Sequence, residues 1–142
     1  MILGYKKQFP WGLPSCFKGK IIDGIKKHTI REDKCDRWRS GRRINHCHGV
    51  RTKQFENFYN NDCTGIQEIE ITWYRNIFFL SKVEVYVDYE RIGYYYPEKI
   101  ELTDKKVIEL AKNDGFDSIE DFFKWFNKDF TGKIIHWTDL RY

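Results

Sequence analysis

The chain reads as an α+β domain: a small β-barrel or strongly curved sheet of about five to six strands, with flanking helices. Three observations predict this. Short segments with two-residue alternation, separated by turn residues, recur through the middle of the chain. Helical periodicity is confined to one segment near the start and two near the end. Finally, 142 residues with 41% hydrophobic content suffice for one core, and no repeat or Pro/Gly/Ser-rich linker marks a second domain, so residues 1–142 form one unit.

Each element has a local reason. Met1–Pro14 reads as a short strand and a loop broken by Pro10, Gly12 and Pro14. Ser15 is the predicted N-cap of a helix with Phe17, Ile21 and Ile22 on one face, stopped at Gly24. A strand follows from Lys27. Arg31–Ser40 reads as a charged loop around Trp38, and Gly41 opens a strand over Arg42–Gly49. In Ile66–Trp73, Ile69, Ile71 and Trp73 alternate with Glu68, Glu70 and Thr72, and Lys82–Asp88 repeats the pattern through Val83, Val85 and Val87. Ile92–Tyr96 reads as an edge strand closed by Pro97. Thr103 is the predicted cap of a helix stapled by Leu102 and Val107 and broken at Asn113-Asp114-Gly115. Ser118, with Asp121 three residues on, opens a second helix whose apolar stripe is Ile119, Phe122, Phe123 and Phe126. Lys133–Leu140 returns as a strand.

Charge is unevenly distributed. Residues 1–53 carry 14 Lys/Arg against 4 Asp/Glu, and residues 54–142 carry 11 against 17. A basic first third concentrates anionic ligands through its summed field. The 11 Phe, 9 Tyr and 5 Trp exceed ordinary aromatic use, so most fill the core and a few remain for stacking on planar ligands. Cys16, Cys35, Cys47 and Cys63 lack C-x-x-C spacing, and no secretory h-region precedes them. Free thiols in a reducing, cytoplasmic setting are therefore expected. No apolar run approaches the ~20 residues of a membrane span, so no membrane partner is expected.

The densest chemistry lies in Ile22–Arg31. Lys26, Thr29 and Arg31 follow Gly24 as the chain turns into a strand. A cation, a hydroxyl and a guanidinium so close together suit a phosphate, a carbonyl or a nucleobase. Arg51 adds a cation for phosphate contact, and Trp38, flanked by Arg37 and Arg39, is the expected exposed stacking ring, with Trp11 and Tyr94–Tyr96 behind it. Strand alternation directs His28 away from Thr29, into a structural role. His46 and His48 share one strand face, and Cys35, Cys63 and His136 are further metal-ligand types. Without C-x-x-C or H-E-x-x-H spacing they announce no metal site. No P-loop, dinucleotide fingerprint or nucleophile elbow occurs, and no cofactor is called for.

Gly24-Ile25-Lys26-Lys27-His28-Thr29-Ile30-Arg31 resembles the G-x-K-x-x-T-x-R signature of ASCH domains, in the PUA-like superfamily. Trp38-Arg39-Ser40-Gly41-Arg42-Arg43-Ile44 resembles that family's glycine turn into its second barrel strand. Asp114-Gly115-Phe116-Asp117-Ser118, with Phe122 following, resembles its acidic-Gly-Phe segment and next helix. The similarity spans roughly Phe17 to Leu140. It implies a PUA-like barrel with a cleft beside the Lys/Thr/Arg turn that takes RNA or a nucleoside-like small molecule. Family functions are mixed: RNA binding, ribonuclease activity, and amidohydrolysis of 4-acetylcytidine. By motif, the amidohydrolase residues fall on Lys26, Thr29 and Asp114, where those enzymes carry Glu in place of Asp. An accessory module using its aromatic surface for a protein partner is a third reading.

Overall fold

A computed structural model describes residues 1–76, 78 and 80–142. Among them the chain forms β1 (Ile2–Tyr5), α1 (Phe17–Ile22), β2 (His28–Arg31), β3 (Arg43–His48) and β4 (Glu56–Asp62). There follow β5 (Gly65–Tyr74), β6 (Lys82–Val87), β7 (Glu90–Tyr95), α2 (Lys105–Asn113), α3 (Ile119–Trp125) and β8 (Phe130–His136). A single 3₁₀ turn, Ile100–Leu102, precedes α2. The α+β class holds. The strands form two sheets, an antiparallel β2-β8-β5-β6-β7 and a smaller β1-β3-β4 in which β1 runs parallel to β3. No closed barrel is formed by the ladders among the described residues.

The alternating strands behave as their patterns require. Ile69 and Ile71 of β5 and Val83, Val85 and Val87 of β6 point into one core, each at most 3% exposed. Strand β7 lies at the sheet edge, as the closing Pro97 implies. Strand β8, flanked by β2 and β5, occupies an interior position and buries Ile134 and Ile135 completely. It spans Phe130–His136, displaced toward the N-terminus from the expected Lys133–Leu140.

Several local expectations are corrected. The N-cap of α1 is Cys16, in a left-handed conformation, because the Ser15 hydroxyl donates instead to the Lys6 carbonyl at 2.6 Å. Ile22 is 50% exposed, so only Phe17 and Ile21 anchor that helix. The N-cap of α2 is Asp104. Thr103 accepts from the Tyr96 amide, and Leu102 stays exposed while Val107 is buried, so the expected staple is absent. The cap of α3 is as expected: the Ser118 hydroxyl accepts from the Asp121 amide at 3.1 Å.

Trp38 is the main reversal. It is only 6% exposed and belongs to the core. The Asp33 carboxylate accepts from the Arg37 and Trp38 amides, folding residues 33–38 inward, and Lys133 pairs with both Asp33 and Asp36. Flanking arginines stay outside while the indole is buried, a separation that the mixed charge of the segment obscures. All four cysteines are free thiols, Cys16 and Cys35 exposed and Cys47 and Cys63 buried. No described helix is long and apolar enough to cross a membrane.

Candidate functional site

The site begins where α1 stops. Asp23 ends the helix, and Gly24 takes the left-handed φ of 76° that turns the chain back. The amides of Ile25 and Lys26 both bond the Lys20 carbonyl, and the Lys27 amide bonds the Asn113 carbonyl. The last bond ties the start of β2 to the end of α2. At that end Gly115, with φ 92°, crosses directly over the Lys26 stem: a Cβ there would lie 2.9 Å from Lys26 Cδ. Lys20 Nζ fixes the same turn, donating to the Gly115 carbonyl and to Asp117.

This docking buries Lys26 against Asp114, 88 residues away in sequence. Lys26 Nζ lies 3.2 Å from Asp114 Oδ1 and also donates to the Asp114 carbonyl. The two side chains are 2% and 4% exposed. The ammonium lies 4.6 Å from the Phe17 ring centroid and 5.8 Å from that of Tyr5. Burial lowers the Lys26 pKa to about 8, with Asp114 opposing the fall and Arg31 assisting it.

Thr29 and Arg31 line the same cavity of about 240 Å³. Among the described residues no protein group hydrogen-bonds the Thr29 hydroxyl. Arg31 donates through Nη2 to the Gly4 carbonyl, its guanidinium lies 5.3 Å from the Tyr5 ring, and its buried Nε–H has no partner among the described residues. Aromatic rings from Phe17, Phe116, Trp125 and Phe130 form the apolar wall. Four expected site residues thus meet: Lys26, Thr29, Arg31 and Asp114. The other two do not. Trp38 is in the core, and Arg51, with φ 63° on the exposed turn after β3, lies outside the cavity lining.

His28 is a member of the site that alternation alone assigned to a structural place. It does point away from Thr29, and on that side it meets Asp114. His28 Nδ1 lies 3.3 Å from Asp114 Oδ1, too bent for a full hydrogen bond, and Nε2 lies 2.6 Å from the Tyr142 hydroxyl. Asn113 Nδ2 donates to that hydroxyl, so the network assigns Tyr142 O–H as donor to Nε2 and places the imidazole proton on Nδ1, facing the carboxylate. Burial lowers the His28 pKa against the pull of Asp114. Gln67 holds the Tyr142 backbone at both its N–H and its C=O, and its Oε1 also lies 3.0 Å from His136 Nε2.

Tyr5, which also lines the cavity, is similarly braced. His46 Nε2 donates to Asn61 Oδ1, leaving Nδ1 to accept from the Tyr5 hydroxyl at 2.9 Å. Burial lowers the His46 pKa to about 4, which keeps the ring neutral. His46 spends both ring nitrogens on protein partners and His28, His48 and His136 spend one each, and among the described residues no His/Cys/Asp/Glu group is arranged to hold a metal.

Comparison with protein-family models, curated proteins and solved structures returns no match. The functional reading therefore rests on the residues and their arrangement.

Proposed function

We propose that the protein is an ASCH-type, PUA-like domain whose cavity receives a nucleoside or one unpaired base of an RNA strand. One observation carries this reading: Lys26 and Asp114, in contact, line the same aromatic-walled cavity as Thr29 and Arg31. A nucleobase offers π faces to such a wall and carbonyl, ring-nitrogen and amine groups at its edge. Lys26 and Thr29 supply donors for the acceptors, and Asp114 accepts from an exocyclic amine. The free thiols favour a cytoplasmic setting. Titration with cytidine, followed by tryptophan fluorescence, tests the reading. Thr29→Val and Lys26→Met should each weaken binding about tenfold or more, and unchanged binding in both would overturn it.

A second reading, amidohydrolysis of an N-acylated pyrimidine nucleoside such as 4-acetylcytidine, is favoured by the lowered pKa of Lys26 in a cavity that Thr29 also lines. The Thr29 oxygen attacks the acyl carbon while neutral Lys26 takes the hydroxyl proton. The C–N bond then breaks, and Lys26 returns that proton to the departing amine. Lys26 then deprotonates a water that attacks the Thr29 ester, and as the ester C–O bond breaks Lys26 returns that proton to the Thr29 oxygen and the acid leaves. Asp114 holds the lysine in place throughout.

The two readings have opposite pH signatures. A binding site that uses the Lys26 ammonium loses affinity as pH rises through about 8, whereas a hydrolase that uses the free amine gains rate over the same range. Absence of turnover of 4-acetylcytidine by folded protein would remove the second reading.

A further inference from the structure

Beside the Lys26 cavity lies a shallow depression lined by Lys6, Trp11, Lys124 and Trp125. Lys6 and Trp125 line both, so the two hollows share a wall. We infer that this depression is a second base-stacking subsite continuous with the cavity, so that the ligand is a single-stranded polynucleotide and not a free nucleoside. The inference rests on the reading of the cavity as a nucleobase site.

The platform is built in layers. Phe9 stacks on Trp11 with centroids 4.7 Å apart and planes 12° from parallel, and its ring also stacks on Phe116 at 5.5 Å. Phe116 in turn lines the cavity. One continuous aromatic stack therefore connects the two hollows and holds the Trp11 indole in place. The Lys124 ammonium lies 4.7 Å from the Trp11 ring centroid, on an exposed side chain, and Lys6 lies 5.9 Å from that of Trp125. A base stacking on Trp11 displaces Lys124 toward the adjoining phosphate, which exchanges a cation–π contact for an ion pair. The buried Trp11 Nε1–H, without a partner among the described residues, is a spare donor beside the platform.

Charge selects the occupant. Among the described residues no carboxylate lines this depression, nor a third hollow that shares Lys6 and adds Lys7. Flat rings spaced among lysines match alternating bases and phosphates. An acidic peptide would use the lysines and leave the stacked rings idle.

Fluorescence anisotropy with labelled octacytidylate, alongside titration with cytidine, tests this on the whole chain. The octamer should bind at least ten times more tightly than cytidine. Trp11→Ala should weaken octamer binding about tenfold and leave cytidine unchanged, while Trp11→Phe stays within about threefold of the parent. Lys124→Gln, on an exposed side chain, should lower the salt slope by about 0.7, one phosphate's worth. Equal binding of octamer and cytidine, or octamer binding indifferent to both Trp11→Ala and Lys124→Gln, overturns the subsite; the cavity reading then survives if Thr29→Val still loses cytidine. Thr29→Val neutral toward both ligands, with octamer binding lost in Trp11→Ala, removes the cavity reading and supports the groove. Displacement of the octamer by polyglutamate at matched charge would assign the groove to an acidic peptide instead.

Discussion

At the scale of single residues, the Lys26–Asp114 pair is a costly arrangement. Two charges are held out of water, and each stays affordable only while the other is present. Asp114→Asn leaves a buried ammonium and Lys26→Met a buried carboxylate, so each should lower unfolding free energy by about 3 kcal/mol or more in urea denaturation. The double variant removes both charges and should be more stable than either single one, a coupling that a double-mutant cycle reads directly. Gly115→Ala acts on the same pair from above. It forces a side chain into left-handed backbone and onto Lys26 Cδ, so it should destabilise by at least about 1 kcal/mol and weaken cytidine binding. Lys26 was legible because its motif is local. The part played by His28 was not, since its partner Asp114 arrives from a distant turn.

At the scale of elements, local chemistry succeeds where it is self-contained. The Ser118 cap of α3 needs only the Asp121 amide three residues on, and both are adjacent in sequence. Strand β4 shows the opposite case. Its sequence, Glu-Asn-Phe-Tyr-Asn-Asn-Asp, is rich in residues that strands avoid, has no buried position, and is held extended by pairing with β3. Nothing within the segment announces that partner. The Asp33 loop lies between these extremes, because Asp33 satisfies two amides whose side chains take opposite directions, Arg37 outward and Trp38 inward. Asp33→Ala leaves the buried Trp38 amide unpaired and should cost about 1–3 kcal/mol, measured by thermal or urea unfolding. Burial alone would raise the Asp33 pKa, yet the two amides and Lys133 lower it, so its contribution is lost as pH falls through the carboxylate range.

At the scale of the whole molecule, the interior is tuned to neutral imidazoles. Burial lowers the pKa of His46 to about 4 and of His136 to about 3, and lowers that of His28 as well. In the unfolded chain these groups titrate near 6.5, so below that pH the unfolded state binds more protons than the native one. Stability should therefore fall as pH drops from about 6.5 toward 4, by about 1.4 kcal/mol per unit for each histidine still neutral in the fold. Replacing His46 by Gln should flatten this acid limb in denaturation curves at stepped pH. Lys26 acts at the other end. Its folded pKa of about 8 lies below the unfolded 10.5, so its contribution to stability rises between those values and is constant below about 8.

The sequence by itself determined the α+β class, the alternating strands β5 and β6, the cap of α3, and the turn that sets Lys26, Thr29 and Arg31 side by side. All of these are written in contacts between near neighbours or in a repeat of fixed period. Only the tertiary structure decided that Asp114 meets Lys26, that His28 faces the same carboxylate, that Trp38 is buried, and that the strands lie in two sheets. Those outcomes depend on pairs brought together by burial and backbone pairing over long separations, where no local pattern records which surface will face which.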